Sequence, residues 1–267
     1  MGLRSWLASR RERRLQLFTK EMLRHNVKAA QRHGVESECH PQDFIYDFVI
    51  RHPEFRKTRK AVDYYFNDGA RSAGKLANVL TELQVTSQPI RLLEFASGYG
   101  CVTRHLKKNP DLSIVACDIH QQAIDFLTTK LGVHAVMSAH APEELSLGES
   151  FDAVFALSFF SHMPKATWGR WVRALFSHVR RGGYLMFTTH GLESRGLYHN
   201  PQMPPDGFWF HAISEQGDLD KAEYGTAIVT ADFVTREVRA QTGEDIFDHR
   251  AAFWWGHQDL WIVKKPA

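Results

Sequence analysis

The sequence predicts an α/β protein in which a doubly wound, mainly parallel sheet of seven strands follows an N-terminal helical extension. From about residue 89, short apolar runs alternate with amphipathic stretches, a pattern typical of buried parallel strands and the helices that cover them. The preceding residues read as helices. We therefore expect a helical extension or lid over residues 1–88 and a sheet domain over residues 89–267, in which residues 191–230 form a substrate-side insert.

Four helices are predicted in the extension, over residues 10–33, 41–51, 54–66 and 70–84. Gly34 is a natural stop for the first helix, and Pro53 interrupts the second because proline disfavours helical backbone at the residue before it. The Asn-Asp-Gly sequence at residues 67–69 is a favourable turn and separates the last two. The stretch around Tyr64 and Tyr65 is read either as part of a lid over a ligand or as core aromatics beside this turn.

The seven predicted strands are the apolar runs IRLLEF (90–95), SIVACD (113–118), HAVMS (134–138), DAVFALS (152–158), YLMFTT (184–189), AAFWWG (251–256) and DLWIVKK (259–265). The predicted helices between them cover residues 101–108, 120–131, 141–145, 165–179 and 231–241. Residues 191–209 are rich in glycine, proline and asparagine and therefore read as a loop or lid.

Composition excludes several classes of protein. A hydrophobic content of 43% and a charged content of 24% are ordinary for a globular chain, which excludes a wholly disordered, a collagen-like or a disulfide-stapled protein. The three cysteines are scattered, so we expect a reducing compartment, the cytoplasm. No apolar run approaches the roughly 18 residues that a membrane span requires.

The net charge of +3 conceals an uneven distribution, since residues 1–33 carry +7 and the remainder carries −4. A basic amphipathic helix in the first segment is consistent with a solvated surface helix, with a peripheral contact to an anionic membrane or a protein, or with an organellar presequence. The acidic remainder offers no extended phosphate-binding face, so no nucleic-acid partner is expected.

The most informative stretch is LLEFASGYG at residues 92–100, where a strand runs into a small-residue turn. Glycines let a ligand approach the backbone closely, and the next helix offers unpaired N–H groups. A dinucleotide fingerprint would have a small residue where Thr103 stands and no acid where Glu94 stands. Asp118 ends the next strand, so both acids are expected at one edge of the sheet.

These two acids suggest a particular ligand. A carboxylate at Asp118 can accept hydrogen bonds from two adjacent ribose hydroxyls, and Glu94 can neutralise a cationic group. A nucleoside that carries positive charge and no pyrophosphate, such as S-adenosylmethionine, suits this pair.

With these motifs, residues 90–190 resemble the class I S-adenosylmethionine-dependent methyltransferases. LLEFASGYG resembles the first motif of the family, although Ala96 stands where the first glycine is usual, and CDIH (117–120) resembles the second. FDAVFALSFFSHMP (151–164) and VRRGGYLMFTTHG (179–191) resemble the fourth strand and the Gly-Gly turn into the fifth. The resemblance implies a Rossmann-like methyltransferase sheet, S-adenosylmethionine as cofactor and methyl transfer as activity.

The predicted cofactor-binding residues are Glu94, Ala96, Ser97, Gly98, Gly100, Asp118, Ile119, Ala139, His140, Leu157 and Ser158. Many family members place an aspartate beside the adenine after the third strand. Here His140 falls at about that position, so either its side chain or a backbone N–H of Ala139 or His140 is expected there.

Two histidines are the candidates for acid–base chemistry or for positioning the acceptor. His190 ends the predicted fifth strand and His162 follows the fourth, and an imidazole is a competent base for a hydroxyl. With 15 histidines in the chain, such positions are unremarkable, and His162 could instead cap a helix or pack on Trp168. Glu223 and Tyr224 are further candidates for contact with the acceptor.

Two further expectations concern aromatic residues and metals. Trp254 and Trp255 are expected to pack in the core rather than to bind substrate. No Cys or His spacing fits a metal site, so no metal is predicted.

The predicted function is methyl transfer from S-adenosylmethionine to an oxygen of a glycan, a lipid-linked sugar or another small molecule. The motifs of DNA amino and cytosine-C5 methylation are absent, and residues 224–234 and 257–265 resemble a bacterial subgroup associated with glycan and lipid-glycan biosynthesis. One alternative is a non-catalytic cofactor-binding subunit that docks a partner through its basic N-terminal helix. A nicotinamide or nucleotide-sugar enzyme is another, although Thr103 and Glu94 speak against it. The acceptor and the oligomeric state stay open.

Overall fold

A computed structural model describes residues 20–52, 60–213, 216 and 219–267. Within this part of the chain the strands are β1 (Ile90–Phe95), β2 (Leu112–Asp118), β3 (His134–Met137), β4 (Phe151–Ala156), β5 (Val179–His190), β6 (Phe208–His211), β7 (Thr226–Val229), β8 (Ile246–Trp254) and β9 (Gln258–Lys264). They form one sheet in the order β3-β2-β1-β4-β5-β7-β6, with β9 antiparallel to β5 and β8 beside β9. The predicted α/β sheet is confirmed.

The helices of the described residues are α1 (20–33), α2 (Phe44–Arg51), α3 (Lys60–Glu82), α4 (Thr103–Leu106), α5 (Gln121–Thr129), α6 (Lys165–Ser177) and α7 (Ala231–Thr242). Residues 1–19, which carry much of the predicted basic helix, lie outside the described residues, as do residues 53–59 at the start of the predicted third helix. In the part that is described, no helix is both long enough and apolar enough to span a bilayer.

The apolar runs become strands because the sheet is covered on both faces. The central strand β4 is buried at all six positions. Leu93 on β1 faces a core shared with Trp168 of α6 and Val234 of α7, whereas the adjacent Leu92 faces a core shared with Leu76 of α3. This alternation is what a strand sandwiched between two helical layers requires.

The predicted turn at residues 67–69 is wrong, because α3 is one continuous helix through this sequence. The reason lies in Gly69, which packs against the loop before α4. A Cβ atom placed on Gly69 would lie 2.2 Å from the carbonyl oxygen of Cys101. Position 69 therefore needs glycine because α3 packs closely on the loop before α4, and not because the chain turns there.

We expect Gly69→Ala to lower the free energy of unfolding by about 2 kcal/mol or more, since the added methyl must displace backbone. Gly74→Ala on the same helix is the control, because nothing lies within 4 Å of its added Cβ. It should stabilise the protein by up to about 1 kcal/mol through helix propensity. Urea denaturation of both variants checks the pair, and equal effects would contradict the packing role of Gly69.

The insert after β5 is more ordered than the expected loop. It contains a 3₁₀ helix (Leu192–Tyr198) and the antiparallel hairpin of β6 and β7. The hairpin lies beyond the carboxyl end of β4, where the N–H of Ala227 donates to the carbonyl of Ser161 at 2.7 Å. At its other side, β7 pairs with the last residue of β5, His190.

Arg104 on α4 joins the N-terminal helices to the glycine loop. Only 1% of this residue is exposed. Its guanidinium donates hydrogen bonds to the carbonyl oxygens of Gly100 (2.9 Å), Glu36 (2.9 Å) and Glu38 (3.0 Å) and to the hydroxyl of Tyr65 (3.3 Å). The segment before α2 is thereby held over the carboxyl edge of the sheet.

Candidate functional site

A cavity of about 630 Å³ opens at the carboxyl edge of the parallel strands, beneath α2 and the insert. Its volume is in the range of small-molecule and cofactor sites. The predicted site residues that line it are Glu94, Ala96, Ser97, Gly98, Asp118, Ile119, Ala139, His140, Leu157, Ser158 and His162. Gly100 and His190 are not among the lining residues.

Glu94 is the penultimate residue of β1 and lies beneath the cavity, with 4% of its surface exposed. Its Oε2 atom accepts no hydrogen bond within the described part of the chain. Burial raises the pKa of this carboxyl to about 8; the nearby Thr103 hydroxyl lowers it, and the charge of Asp118 raises it. Burying an unsatisfied carboxyl is costly, and a cationic ligand group in the cavity would offset that cost.

Asp118 ends β2 and links that strand to the glycine loop. Its Oδ2 atom accepts a hydrogen bond from the N–H of Gly98 at 2.8 Å. Its Oδ1 atom accepts from the backbone N–H of His120 at 3.1 Å and from the Nδ1 of the same residue at 2.9 Å. A carboxylate has about four acceptor positions, so capacity for ligand hydroxyls remains.

The glycine loop after β1 turns through left-handed backbone at Ala96 (φ +56°), Gly98 (φ +55°) and Gly100 (φ +78°). Space is open around Gly98, which lines the cavity. A Cβ on Gly100 would lie 2.4 Å from Leu131, on the far side of the loop. Gly98 therefore leaves open space on the cavity side of the loop, whereas Gly100 packs closely against Leu131.

Ala96 adopts the conformation that the usual glycine at this position provides without strain. We expect Ala96→Gly to raise the free energy of unfolding by about 0.5–1 kcal/mol, because relief of the left-handed strain exceeds the entropy that glycine adds to the unfolded chain. Ala174→Gly within α6 should instead cost about 1 kcal/mol. Thermal denaturation compares the two, and destabilisation by Ala96→Gly would contradict the strain.

The structure separates the two candidate histidines. His190 is 4% exposed, and its pKa is lowered to about 3 by burial and, to a smaller extent, by His162 and His257. A group with that pKa is neutral and only weakly basic at physiological pH. His162 lines the cavity beyond the end of β4, so it is the histidine that can reach an acceptor.

His162 is held in a defined orientation by the insert. Its Nδ1 lies 2.7 Å from the carbonyl oxygen of Gly225, which can only accept, so Nδ1 carries the proton. The imidazole stacks on Tyr224 with ring centroids 4.5 Å apart and an interplanar angle of 10°. In the neutral ring, Nε2 is then the nitrogen that accepts a proton.

Trp254 and Trp255 differ in whether they reach the cavity. Trp254 is 1% exposed and packs in the core as predicted. Trp255 packs against the same core, as predicted, and also lines the cavity. Trp255 lies in the tight turn between β8 and β9, with φ +52°, and that turn lies at the carboxyl edge of β5. Its indole N–H donates to Asp68 on α3 at 2.8 Å.

The N-terminal segment contributes both cavity-lining residues and core aromatics. Phe44 and Ile45 of α2 line the cavity, whereas Tyr65 is 1% exposed and donates to the carboxylate of Asp43 at 2.6 Å. Trp171 of α6 completes the apolar wall. Sequence reasoning missed these lining residues, although their positions on the apolar faces of helices were the available signal.

Residues 93–185 match a family model described as a methyltransferase domain. This match agrees with the resemblance to the class I S-adenosylmethionine-dependent methyltransferases that the sequence predicts. A malonyl-[acyl-carrier protein] O-methyltransferase of Bacillus cereus is 30% identical over 142 residues, which are 52% of each chain. The chain thus spans about half the length of the curated relatives it matches.

Solved structures share the fold. An S-adenosylmethionine-dependent methyltransferase from Clostridium acetobutylicum superposes with a TM-score of 0.55 at 13% identity, over 80% of this chain and 97% of that one. The [4+2]-cyclase SpnF superposes with a TM-score of 0.51 at 15% identity, over 72% of this chain and 80% of that one. The fold therefore hosts more than one chemistry.

Several of the solved structures that share the fold contain S-adenosylmethionine or S-adenosylhomocysteine. The residues of the cavity fit S-adenosylmethionine. Glu94 offers a buried carboxyl to its cationic end, and Asp118 offers acceptor positions for ribose hydroxyls. Gly98 leaves space for the ligand beside the loop backbone.

Proposed function

We propose that this protein transfers the methyl group of S-adenosylmethionine to an oxygen of a glycan, a lipid-linked sugar or another small molecule. The observation that carries the proposal is that one cavity contains both kinds of residue that the reaction needs. Glu94 and Asp118 lie at the ends of β1 and β2, and His162 lies beyond the end of the adjacent β4.

Each part of the cavity has a role in holding the cofactor. Glu94 would pair with its cationic end, Asp118 with its ribose, and the segment of Ala139 and His140 after β3 with its adenine. The bound cofactor supplies a methyl group that the sulfonium has already activated. Holding two reactants in line can contribute roughly 7–11 kcal/mol, so positioning is the main task of this chain.

His162 is the proposed proton acceptor. Its Nδ1–H is engaged by Gly225, so Nε2 is the basic nitrogen of the ring and can take the proton that a hydroxyl loses on methylation. A positioned base contributes about 10²- to 10⁴-fold to rate. The apolar wall, including Phe159 and Trp171, keeps water from competing with the acceptor.

The name of the curated relative supports oxygen as the acceptor atom, since it is an O-methyltransferase. A malonyl carboxylate has lost its proton at neutral pH, so its methylation needs no base, whereas a hydroxyl acceptor does. Among the described lining residues, Arg170 is the sole Lys or Arg, and it donates to Glu143 at 2.7 Å. The base that His162 offers and the pairing of the one cationic residue among the described lining residues both favour a hydroxyl acceptor over a carboxylate acceptor.

The test measures transfer of tritium from methyl-labelled S-adenosylmethionine to matched hydroxyl, amine and carboxylate acceptors. We expect labelled ether from the hydroxyl series, and a 10²- to 10⁴-fold lower kcat for His162→Gln with unchanged affinity for S-adenosylhomocysteine. Labelling of amines or carboxylates alone would contradict the oxygen assignment. Tight binding of S-adenosylhomocysteine without any transfer would instead favour the non-catalytic subunit.

A further inference from the structure

We propose that Tyr224 and Gly225, which lead into the inserted strand β7, are positioning residues that fix the ring and the tautomer of His162. The insert would then be part of the catalytic machinery and not only a cover over the cavity. This inference rests on the proposed function, because it concerns the same base.

The contacts between the insert and His162 involve both backbone and side chain. The N–H of Gly225 donates to the carbonyl oxygen of His162 at 2.9 Å, and the Gly225 carbonyl oxygen accepts from the His162 Nδ1–H at 2.7 Å. The ring of Tyr224 covers one face of the imidazole at 4.5 Å. The two hydrogen bonds hold the backbone and the ring of His162 against Gly225, and the stacking on Tyr224 fixes the plane of the ring.

The hairpin itself leaves Gly225 little freedom. A Cβ there would lie 2.5 Å from the carbonyl oxygen of His211 and 2.5 Å from the ring of Phe210, both on β6. Phe210 pairs with Ala227 across the hairpin, so β6 cannot withdraw without breaking the ladder. The carbonyl that selects the tautomer is therefore held by packing as well as by hydrogen bonds.

The orienting group is a neutral carbonyl rather than a carboxylate. It selects the Nδ1–H tautomer without placing a negative charge beside the ring. Behind His162, the buried ring of His190 lies 6.3 Å away. It carries no charge at neutral pH, because burial lowers its pKa.

The test reads the tautomer directly in the full-length protein. The chain is labelled with ¹⁵N-histidine, long-range ¹H–¹⁵N spectra are recorded at neutral pH, and the His162 signal is assigned by its loss in His162→Gln. We expect one Nδ1–H tautomer in the unmodified protein. Tyr224→Ala and Gly225→Ala should convert it into a mixture of both tautomers, whereas Tyr224→Phe, which keeps the stacked ring, should retain the single form.

Two internal controls separate positioning from general damage. His178, whose Nδ1 lies 3.2 Å from the carbonyl of Glu149 outside the cavity, should keep its signal in every folded variant. Binding of S-adenosylhomocysteine should also persist in the variants. If one variant fails to fold, the other still decides.

The outcomes are distinct for the two proposals. An Nε2–H tautomer or a mixture in the unmodified protein overturns the positioning role. So does a single Nδ1–H form that survives in every folded variant of the pair Tyr224→Ala and Gly225→Ala. Failure of the unmodified protein to bind S-adenosylhomocysteine would instead overturn the proposed function, whatever the tautomer of His162.

Discussion

Replacing Arg104 by methionine is expected to lower the free energy of unfolding by about 3–5 kcal/mol, the largest stability effect that we predict. Methionine keeps much of the apolar volume but removes every donor. The carbonyl oxygens of Gly100, Glu36 and Glu38 would lose the partner that Arg104 provides. A hydrogen bond from a charged donor contributes about 1.5–3 kcal/mol, so the loss of several of them outweighs the apolar packing that methionine keeps.

Arg104→Lys tests the geometry, because a lysine ammonium cannot reproduce the planar fork of donors. It should recover at most part of the loss. Arg51→Met is the matched control: the side chain of Arg51 is 77% exposed and pairs with Asp47 on the same helix, so its loss should change stability by less than about 0.5 kcal/mol. Urea denaturation of the three variants decides, and a loss below 1 kcal/mol for Arg104→Met would contradict the central role of this residue.

The second prediction concerns Glu94→Gln and the pH dependence of stability. The pKa of this carboxyl is raised by burial from 4.5 to about 8, so the folded chain binds its proton more tightly than the unfolded chain. Stability from this group is fully present below pH 4.5 and is lost as pH rises toward 8 and above. By linkage the loss is on the order of 5 kcal/mol.

Glutamine does not ionise, so Glu94→Gln should remove that slope. The stability difference between variant and unmodified protein is expected to be small at pH 5 and to reach several kcal/mol in favour of the variant at pH 9, without cofactor. Urea denaturation followed by circular dichroism at pH 5, 7 and 9 measures it. Parallel pH profiles for the two proteins would show that Glu94 ionises as it does in water.

The same variant should bind the cofactor more weakly. An amide cannot neutralise a cation, and losing a charged hydrogen bond of about 1.5–3 kcal/mol weakens binding roughly 10- to 100-fold. In the unmodified protein, the affinity for the cofactor should rise between pH 6 and 7.5, because the bound cation stabilises the ionised form of Glu94. In Glu94→Gln this rise should be absent. Greater stability with weaker binding is the trade-off expected of a strained ligand site.

The strands of the sheet, and the position of Glu94 and Asp118 at one edge of it, could be predicted from the sequence because the local pattern of apolar residues determines them. The run IRLLEF becomes β1 at the predicted residues, since a strand covered on both faces is mostly apolar. Glu94 and Asp118 then meet at one edge because parallel strands end there together. The structure brings both residues to one cavity.

The features that sequence reasoning missed depend on contacts between distant segments. The Asn-Asp-Gly sequence in α3 has strong turn propensity, but the approach of Cys101 to Gly69 overrides it. Which of the two histidines reaches the cavity depends on the insert, whose hairpin has no marked alternation of polar and apolar residues. The orientation of Trp255 depends on the turn between β8 and β9, and neither propensity nor periodicity reports this.

Calorimetric titration of the full chain with S-adenosylhomocysteine, alongside the Asp118→Ala variant, tests the central claim most directly. We expect one molecule bound per chain and affinity at least tenfold weaker in the variant, because the ribose loses its charged acceptor. Asp111→Ala, an exposed acid outside the cavity, should bind like the unmodified protein. No binding by the unmodified chain, or equal binding by Asp118→Ala, would contradict the assignment of this cavity to the cofactor.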